Sequence, residues 1–172
     1  MIRHIIIIII SMVYIFLNCP SWMADGTLGF WQRAMVYQFI HANPFHLAVN
    51  ALALWGLLAP ENRNNAIHLG TGLLIGFLVY GCSPRPLLGI SNAIFAIAGL
   101  RTPPFSSQYW RSKNVWLFLG INALLVFLPR VSAITHLLSF AIGLMLVNAQ
   151  RLGKGILRSI NRTRNDIKRI TH

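Results

Sequence analysis

The sequence predicts an all-α, polytopic membrane protein with six transmembrane helices and an interfacial first loop. Only 10% of its 172 residues are charged and 55% are hydrophobic, whereas soluble domains carry about 25% charged residues. Long apolar runs recur along the chain between short polar or proline-containing segments. Seven of the fifteen basic residues fall within positions 151–169, which indicates membrane topology and lipid contact rather than nucleic-acid binding.

The apolar runs predict six helices, which we take in chain order. The first run follows Arg3 and has the length of a signal-peptide core, but no small-residue cleavage site follows it, so it predicts a transmembrane helix. Pro44 suits the first turn of the second helix. Pro129-Arg130 leaves so little chain between the last two helices that they must be antiparallel neighbours. The predicted helices are residues 3–19, 44–60, 66–82, 87–100, 114–128 and 131–149.

Two segments outside these helices have distinctive compositions. Residues 20–43 are rich in Trp, Tyr and Phe, which favour the membrane interface, so we expect a long loop that lies at the surface. Residues 151–172 place Leu and Ile at helical spacing, with Arg and Lys on the other face. This pattern predicts a basic amphipathic helix on an anionic inner leaflet, and a frayed polar tail is the alternative. The predicted units are therefore a transmembrane domain, 1–150, and a cytoplasmic tail, 151–172.

The distribution of basic residues predicts the orientation. Six helices place both termini on one side, and if that side is the cytoplasm it holds twelve of the fifteen basic residues. The positive-inside rule favours this orientation. Cys19 and Cys82 then lie at the outer ends of two helices, and a disulfide between them is a hypothesis that depends on their separation.

Polar residues on three predicted helices lie at matching depth. His46 and Asn50 are four residues apart and share one helix face. Ser91 is four residues into the fourth helix and His136 five into the sixth. At about 1.5 Å per residue, all four lie roughly 5–10 Å below the outer surface. Polar groups in membrane segments are costly and usually mark a site.

These residue types fit nucleophilic catalysis. A serine hydroxyl is a weak nucleophile until a histidine accepts its proton, and small residues on both helices would let Ser91 approach His136. Asn50, His46 and the Ser91 amide could donate hydrogen bonds to an oxyanion. Alternatively, a lone membrane serine often bonds to its own helix. A metal held by His41, His46 and His136 is a further alternative, but no carboxylate or cysteine lies nearby in sequence, so no metal or cofactor is predicted.

The spacing of these motifs resembles that of the rhomboid intramembrane serine proteases, over about residues 30–145. Six helices, with the serine early in the fourth, are similar to this family as well. The motifs that carry the resemblance are His41-x4-His46-x3-Asn50, Gly89-Ile90-Ser91, His136, the tryptophan–arginine element Trp31-Gln32-Arg33 and the acidic-x-arginine element Glu61-Asn62-Arg63.

The resemblance implies roles for these residues. Ser91 would be the nucleophile and His136 the general base, without an acidic third member. His46, Asn50 and the Ser91 amide would stabilise the oxyanion, and His41 would support the first loop. The implied reaction cleaves a peptide bond in or near a substrate's transmembrane segment, with the site open to the outer side. We expect a bacterial inner-membrane protein whose partners are transmembrane substrates and anionic lipid.

Two positions depart from the family pattern. Asn92 follows the serine and Ser139 lies three residues after the histidine, where the family usually has glycine. Asn92 would either crowd the oxyanion pocket or add a donor to it. A catalytically inactive rhomboid-like binder of membrane proteins is therefore an alternative. The segment His-Ala-Asn-Pro-Phe-His, 41–46, is similar in spacing to rhombosortases, so rhombosortase-like processing of C-terminal sorting tails is an alternative within the family. A small transporter or channel subunit is the alternative outside this family.

Overall fold

The computed structural model describes residues 2–17, 28–58, 63–83, 86–102 and 133–170, with side chains as far as Thr163. Over these ranges the chain forms α-helices and no strand, which confirms the predicted all-α class. The helices are α1 (Ile2–Leu17), α2 (Phe30–Val36), α3 (Pro44–Leu57), α4 (Asn65–Tyr80), α5 (Ser91–Arg101) and α6 (Ala133–Ile170).

One described helix, Ala133–Thr163, is long and apolar enough to cross a membrane, and it contains an 18-residue window with a mean hydropathy of 1.5. Three shorter apolar helices, α1, α3 and α4, coincide with the first three predicted spans. The predicted fifth helix, 114–128, lies outside the described residues. The number of transmembrane helices therefore stays a prediction.

The start of α5 differs from the prediction. We expected a helix from Leu87, with Ser91 four residues inside it, but α5 begins at Ser91 itself. Gly89 has a φ of 87°, a left-handed conformation that a helix cannot include and that favours glycine. The Gly89 amide donates to the Tyr37 carbonyl at 2.8 Å, so this segment pairs with the first loop. Ser91 thus occupies the first position of a helix.

Two further differences concern the first loop and the C-terminal segment. The loop contains α2, which the pattern of apolar residues did not predict. The Gln32 side chain accepts from the Gly29 amide at 2.8 Å and so caps the N-terminus of α2. Helix α6 continues through position 150 without a break, because no proline interrupts its 38 residues. The tail is thus helical as far as Ile170, and the division into 1–150 and 151–172 stays a prediction.

Helix α5 lies at the centre of the packing. Nine of its eleven residues are buried, and it contacts α3, α4 and α6. Its approach to α6 is backbone to backbone: a Cβ placed on Gly99 would meet the Phe140 carbonyl oxygen, and one placed on Gly143 would meet the Ala96 carbonyl oxygen. Small residues permit this approach, which brings the first turns of α5 and α6 together.

Candidate active site

Ser91 and His136 form a hydrogen-bonded pair between α5 and α6. The distance between Ser91 Oγ and His136 Nε2 is 2.8 Å, and both side chains are buried. Nδ1 of His136 has no hydrogen-bond partner in the part of the chain that the structure describes. Since a serine hydroxyl can donate to a neutral imidazole nitrogen, Nε2 is placed to accept the Ser91 proton.

Phe95 fixes the plane of the His136 ring. The two rings stack with centroids 4.5 Å apart and an interplanar angle of 5°. Phe95 lies one helical turn after Ser91, so the same face of α5 carries the hydroxyl and the ring that supports its partner. No sequence motif indicated Phe95; its four-residue spacing from Ser91 was the available signal.

His46 and Asn50 face the segment that precedes Ser91. They lie on α3, whose first turn is capped by Asn43: its side-chain oxygen accepts from the His46 amide at 2.8 Å. A Cβ on Gly89 would lie 2.8 Å from His46 Nε2 and 2.9 Å from Asn50 Nδ2. Asn50 is buried, and its Nδ2 has no hydrogen-bond partner among the described residues. Asn50 thus places an unpaired hydrogen-bond donor next to Gly89, two residues before Ser91.

Gly89 combines two constraints, and its replacement tests both. Gly89→Ala should cost about 1–3 kcal/mol from the left-handed backbone alone, and the new Cβ would displace the His46 ring. We expect a lower melting temperature and loss of cleavage of a model membrane substrate. Gly56→Ala is the control, because a Cβ there meets nothing within 4 Å. A Gly89→Ala protein that melts and cleaves like the parent would contradict the assigned constraints.

Asn50 should affect turnover more than folding. Its Nδ2 makes no hydrogen bond in the described structure, so Asn50→Ala removes little from the folded state. If Asn50 donates to an oxyanion, as the sequence predicts, its loss should lower turnover about 10²–10³-fold. Cleavage kinetics measured beside a thermal melt would show this. Asn148 donates to its own helix at Leu144, and Asn148→Ala should leave turnover unchanged. If Asn50→Ala unfolds the protein, Asn50 is structural.

His41 lies in the turn before α3 and is fully buried. The pKa of His41 is lowered to about 4, mainly by burial and also by the neighbouring His46, while the hydrogen bond to the Phe39 carbonyl opposes this lowering. The imidazole is therefore neutral near pH 7, and Nδ1 donates to the Phe39 oxygen at 3.1 Å. Its ring centroid lies 5.2 Å from that of His46. His41 thus contacts the His46 ring and the turn that leads into α3.

The described residues of the two remaining motifs make no hydrogen bond to Ser91 or His136. Trp31 stacks on Phe77 of α4 with centroids 5.9 Å apart, and Arg33 accepts, through its carbonyl oxygen, the Tyr37 amide. The Trp31–Phe77 contact joins α2 to α4, whereas the bond between Arg33 and Tyr37 closes the end of α2. Arg63 lies in an exposed turn, and Glu61 is outside the described residues.

The hypotheses about cysteine and metal sites have different outcomes. Cys82 is exposed and forms no disulfide with any described residue. Cys19 lies outside the described ranges, so a disulfide between the two cysteines stays a hypothesis. Within those ranges no group of three His, Cys, Asp or Glu side chains is placed to hold a metal ion.

The two departures from the family pattern are both buried. Asn92 is 1% exposed, and its Nδ2 donates to the Tyr37 hydroxyl at 3.2 Å. Its amide is thus already bound within the protein. Ser139 is fully buried on α6, and its hydroxyl has no partner among the residues that the structure describes.

The fold and the site define a helical protein with a buried serine–histidine pair between two closely packed helices. The sequence profile described as Rhomboid domain matches residues 28–150. The chain therefore belongs to the rhomboid family, a family of integral membrane proteins that are generally serine proteases. No curated protein and no solved structure matches the chain.

Proposed function

We propose that this protein is an intramembrane serine protease that cleaves a peptide bond in or near the transmembrane segment of membrane-protein substrates. The 2.8 Å contact between Ser91 Oγ and His136 Nε2 carries the proposal. It is supported by His46 and Asn50, which border the same segment on a third helix. Family membership alone supports protease ancestry, whereas this contact supports retained chemistry.

The proposed mechanism uses Ser91 as nucleophile. Ser91 Oγ attacks the scissile carbonyl carbon while His136 Nε2 accepts its proton. The oxyanion forms at the N-terminal end of α5, where unpaired backbone N–H groups favour negative charge, and the Asn50 amide and the His46 ring add donors. His136 then protonates the leaving amine. Water, activated by the same imidazole, hydrolyses the acyl-enzyme and restores Ser91.

The membrane placement belongs to the same proposal. The site opens to the periplasmic side of a bacterial inner membrane, with six transmembrane helices and both termini in the cytoplasm. The 38 residues of α6 extend about 57 Å at 1.5 Å per residue, beyond a hydrocarbon core of about 30 Å. Its exposed basic end, which includes Arg151, Lys154 and Arg158, is placed to contact anionic lipid.

An inactive membrane-protein binder is the second candidate, because Asn92 and Ser139 stand where the family usually has glycine. The binding of the Asn92 amide by Tyr37 weakens the argument that this side chain obstructs an oxyanion.

Reconstitution distinguishes the candidates. The protein is placed in liposomes with a model transmembrane substrate, and fragments are followed by mass spectrometry. A protease releases fragments that Ser91→Ala does not release. An inactive binder retains the intact substrate equally with and without the substitution. Rhombosortase-like activity would require a C-terminal sorting tail on the substrate, and a transporter would show solute flux that Ser91→Ala leaves unchanged.

A further inference from the structure

Tyr37 hydrogen-bonds to one residue before Ser91 and to one residue after it. Its carbonyl oxygen accepts from the Gly89 amide at 2.8 Å, two residues before the serine. Its hydroxyl accepts from Asn92 Nδ2 at 3.2 Å, one residue after it. Tyr37, in the first loop, therefore binds residues on both sides of Ser91. It lies 55 positions before Asn92 in the sequence.

Tyr37 is itself held firmly. Its hydroxyl donates to the Gly76 carbonyl of α4 at 2.7 Å, and its amide donates to the Arg33 carbonyl at 3.0 Å. The ring packs on Tyr80 with centroids 5.0 Å apart, and no part of the side chain is exposed. Burial raises the pKa of Tyr37, so the hydroxyl keeps the proton that it donates to Gly76.

The segment before Ser91 needs such support. Residues 86–90 are not helical, and Gly89 holds a left-handed conformation, so no helical ladder fixes the approach to α5. Asn92 carries a buried amide, which is costly unless it is hydrogen-bonded. Tyr37 holds the segment through the Gly89 amide and satisfies the Asn92 Nδ2 donor, whereas Asn92 Oδ1 has no partner among the described residues. A nucleophile displaced by 1 Å can lose about 10²-fold in rate, so these bonds bear on the chemistry.

We propose that Tyr37 is a positioning residue that fixes Ser91 from both sides, and that Asn92 is its partner rather than part of the substrate pocket. This inference rests on the proposed protease function. It assigns a structural reason to the asparagine at a position where the family usually has glycine: the hydrogen bonds run from Asn92 through Tyr37 to Gly76, so the side chain ties the first turn of α5 to α4.

The kinetic test uses Tyr37→Phe, Asn92→Ala and the double variant in liposomes. Tyr37→Phe removes the hydroxyl's bonds to Asn92 and Gly76, and Asn92→Ala removes only the bond to Tyr37. Each change should lower kcat about tenfold or more, with KM changed less than twofold. Because both changes break the same bond, the double variant should be no slower than the slower single variant. A double variant whose loss of kcat equals the product of the two single losses would overturn the proposal. An Asn92→Gly variant that is faster than the parent would also overturn it.

Gln38→Ala is the matched control. Gln38 is the next residue in the loop, and its Nε2 donates to the Leu73 carbonyl of α4 at 3.0 Å. Among the described residues, the Gln38 side chain makes no hydrogen bond to those flanking Ser91. This variant should therefore lower the melting temperature with kcat within twofold of the parent. An equal kcat loss in Gln38→Ala would show that Tyr37 acts through general loop stability.

Hydrogen exchange tests the same contact without activity. Tyr37→Phe and Asn92→Ala should speed amide exchange across residues 86–92, and Gln38→Ala should not. Unchanged exchange there would overturn the proposal even if the parent cleaves substrate. If the parent and Ser91→Ala process substrate alike, the protease function fails, while exchange measured in the Ser91→Ala background still decides whether Tyr37 holds the segment.

Discussion

Replacing Ser91 by alanine should abolish cleavage, with a fall in rate of about 10⁴-fold or more. His136→Ala should lower the rate by the same factor. The double variant should be no slower than either single variant, because both side chains act in the same proton-transfer step. The 2.8 Å contact between Oγ and Nε2 is the physical reason. Single-turnover cleavage in liposomes measures the three rates.

Folding should survive these changes. Removing Oγ deletes a single hydrogen bond, with a net contribution of about 1 kcal/mol, so the Ser91→Ala protein should melt within a few degrees of the parent. Ser159→Ala is the control, since Ser159 is exposed on α6. Rates that multiply in the double variant would mean that Ser91 and His136 act independently, contrary to the proposed pair.

Replacing Gly143 should separate α5 from α6. Its Cβ would meet the Ala96 carbonyl and lie 3.0 Å from the Leu100 amide, and backbone atoms cannot rotate away as a flexible side chain can. Gly143→Leu should therefore destabilise the protein by about 3 kcal/mol, or about 6–12 °C in melting temperature. The same displacement moves His136 from Ser91, so cleavage should fall more than about 10²-fold.

A glycine on α4 supplies the matched control. A Cβ on Gly70 meets nothing within 4 Å, and alanine has the higher helix propensity, so Gly70→Ala should melt at or above the parent temperature. Gly143→Ala tests the backbone contact with the smallest change. If it melts and cleaves like the parent, the helices are not held at this distance.

Local patterns in the sequence predicted some features well. Pro44 starts α3, as its fixed φ favours. The four-residue spacing of His46 and Asn50 predicted one face, and both side chains face Gly89. Small residues predicted a close approach of two helices, and Gly99 lies against the backbone of α6. In each case the signal lies within one or two helical turns of the chain.

Features that depend on distant contacts were missed. The sequence predicted a helix from Leu87, but Gly89 adopts a left-handed backbone conformation that its hydrogen bond to Tyr37 supports. Asn92 was expected in the oxyanion pocket, whereas its amide binds Tyr37. No periodicity within a single helix encodes a hydrogen bond across 55 residues. The catalytic roles of the site residues stay predictions.

The central claim is that His136 makes Ser91 a nucleophile, and the site of covalent labelling tests it most directly. The parent in liposomes is treated with a fluorophosphonate, digested and mapped by mass spectrometry. The account predicts one adduct on Ser91, absent from Ser91→Ala and strongly reduced in His136→Ala. A parent that carries no adduct on Ser91, or that is labelled equally when His136 is alanine, would contradict it.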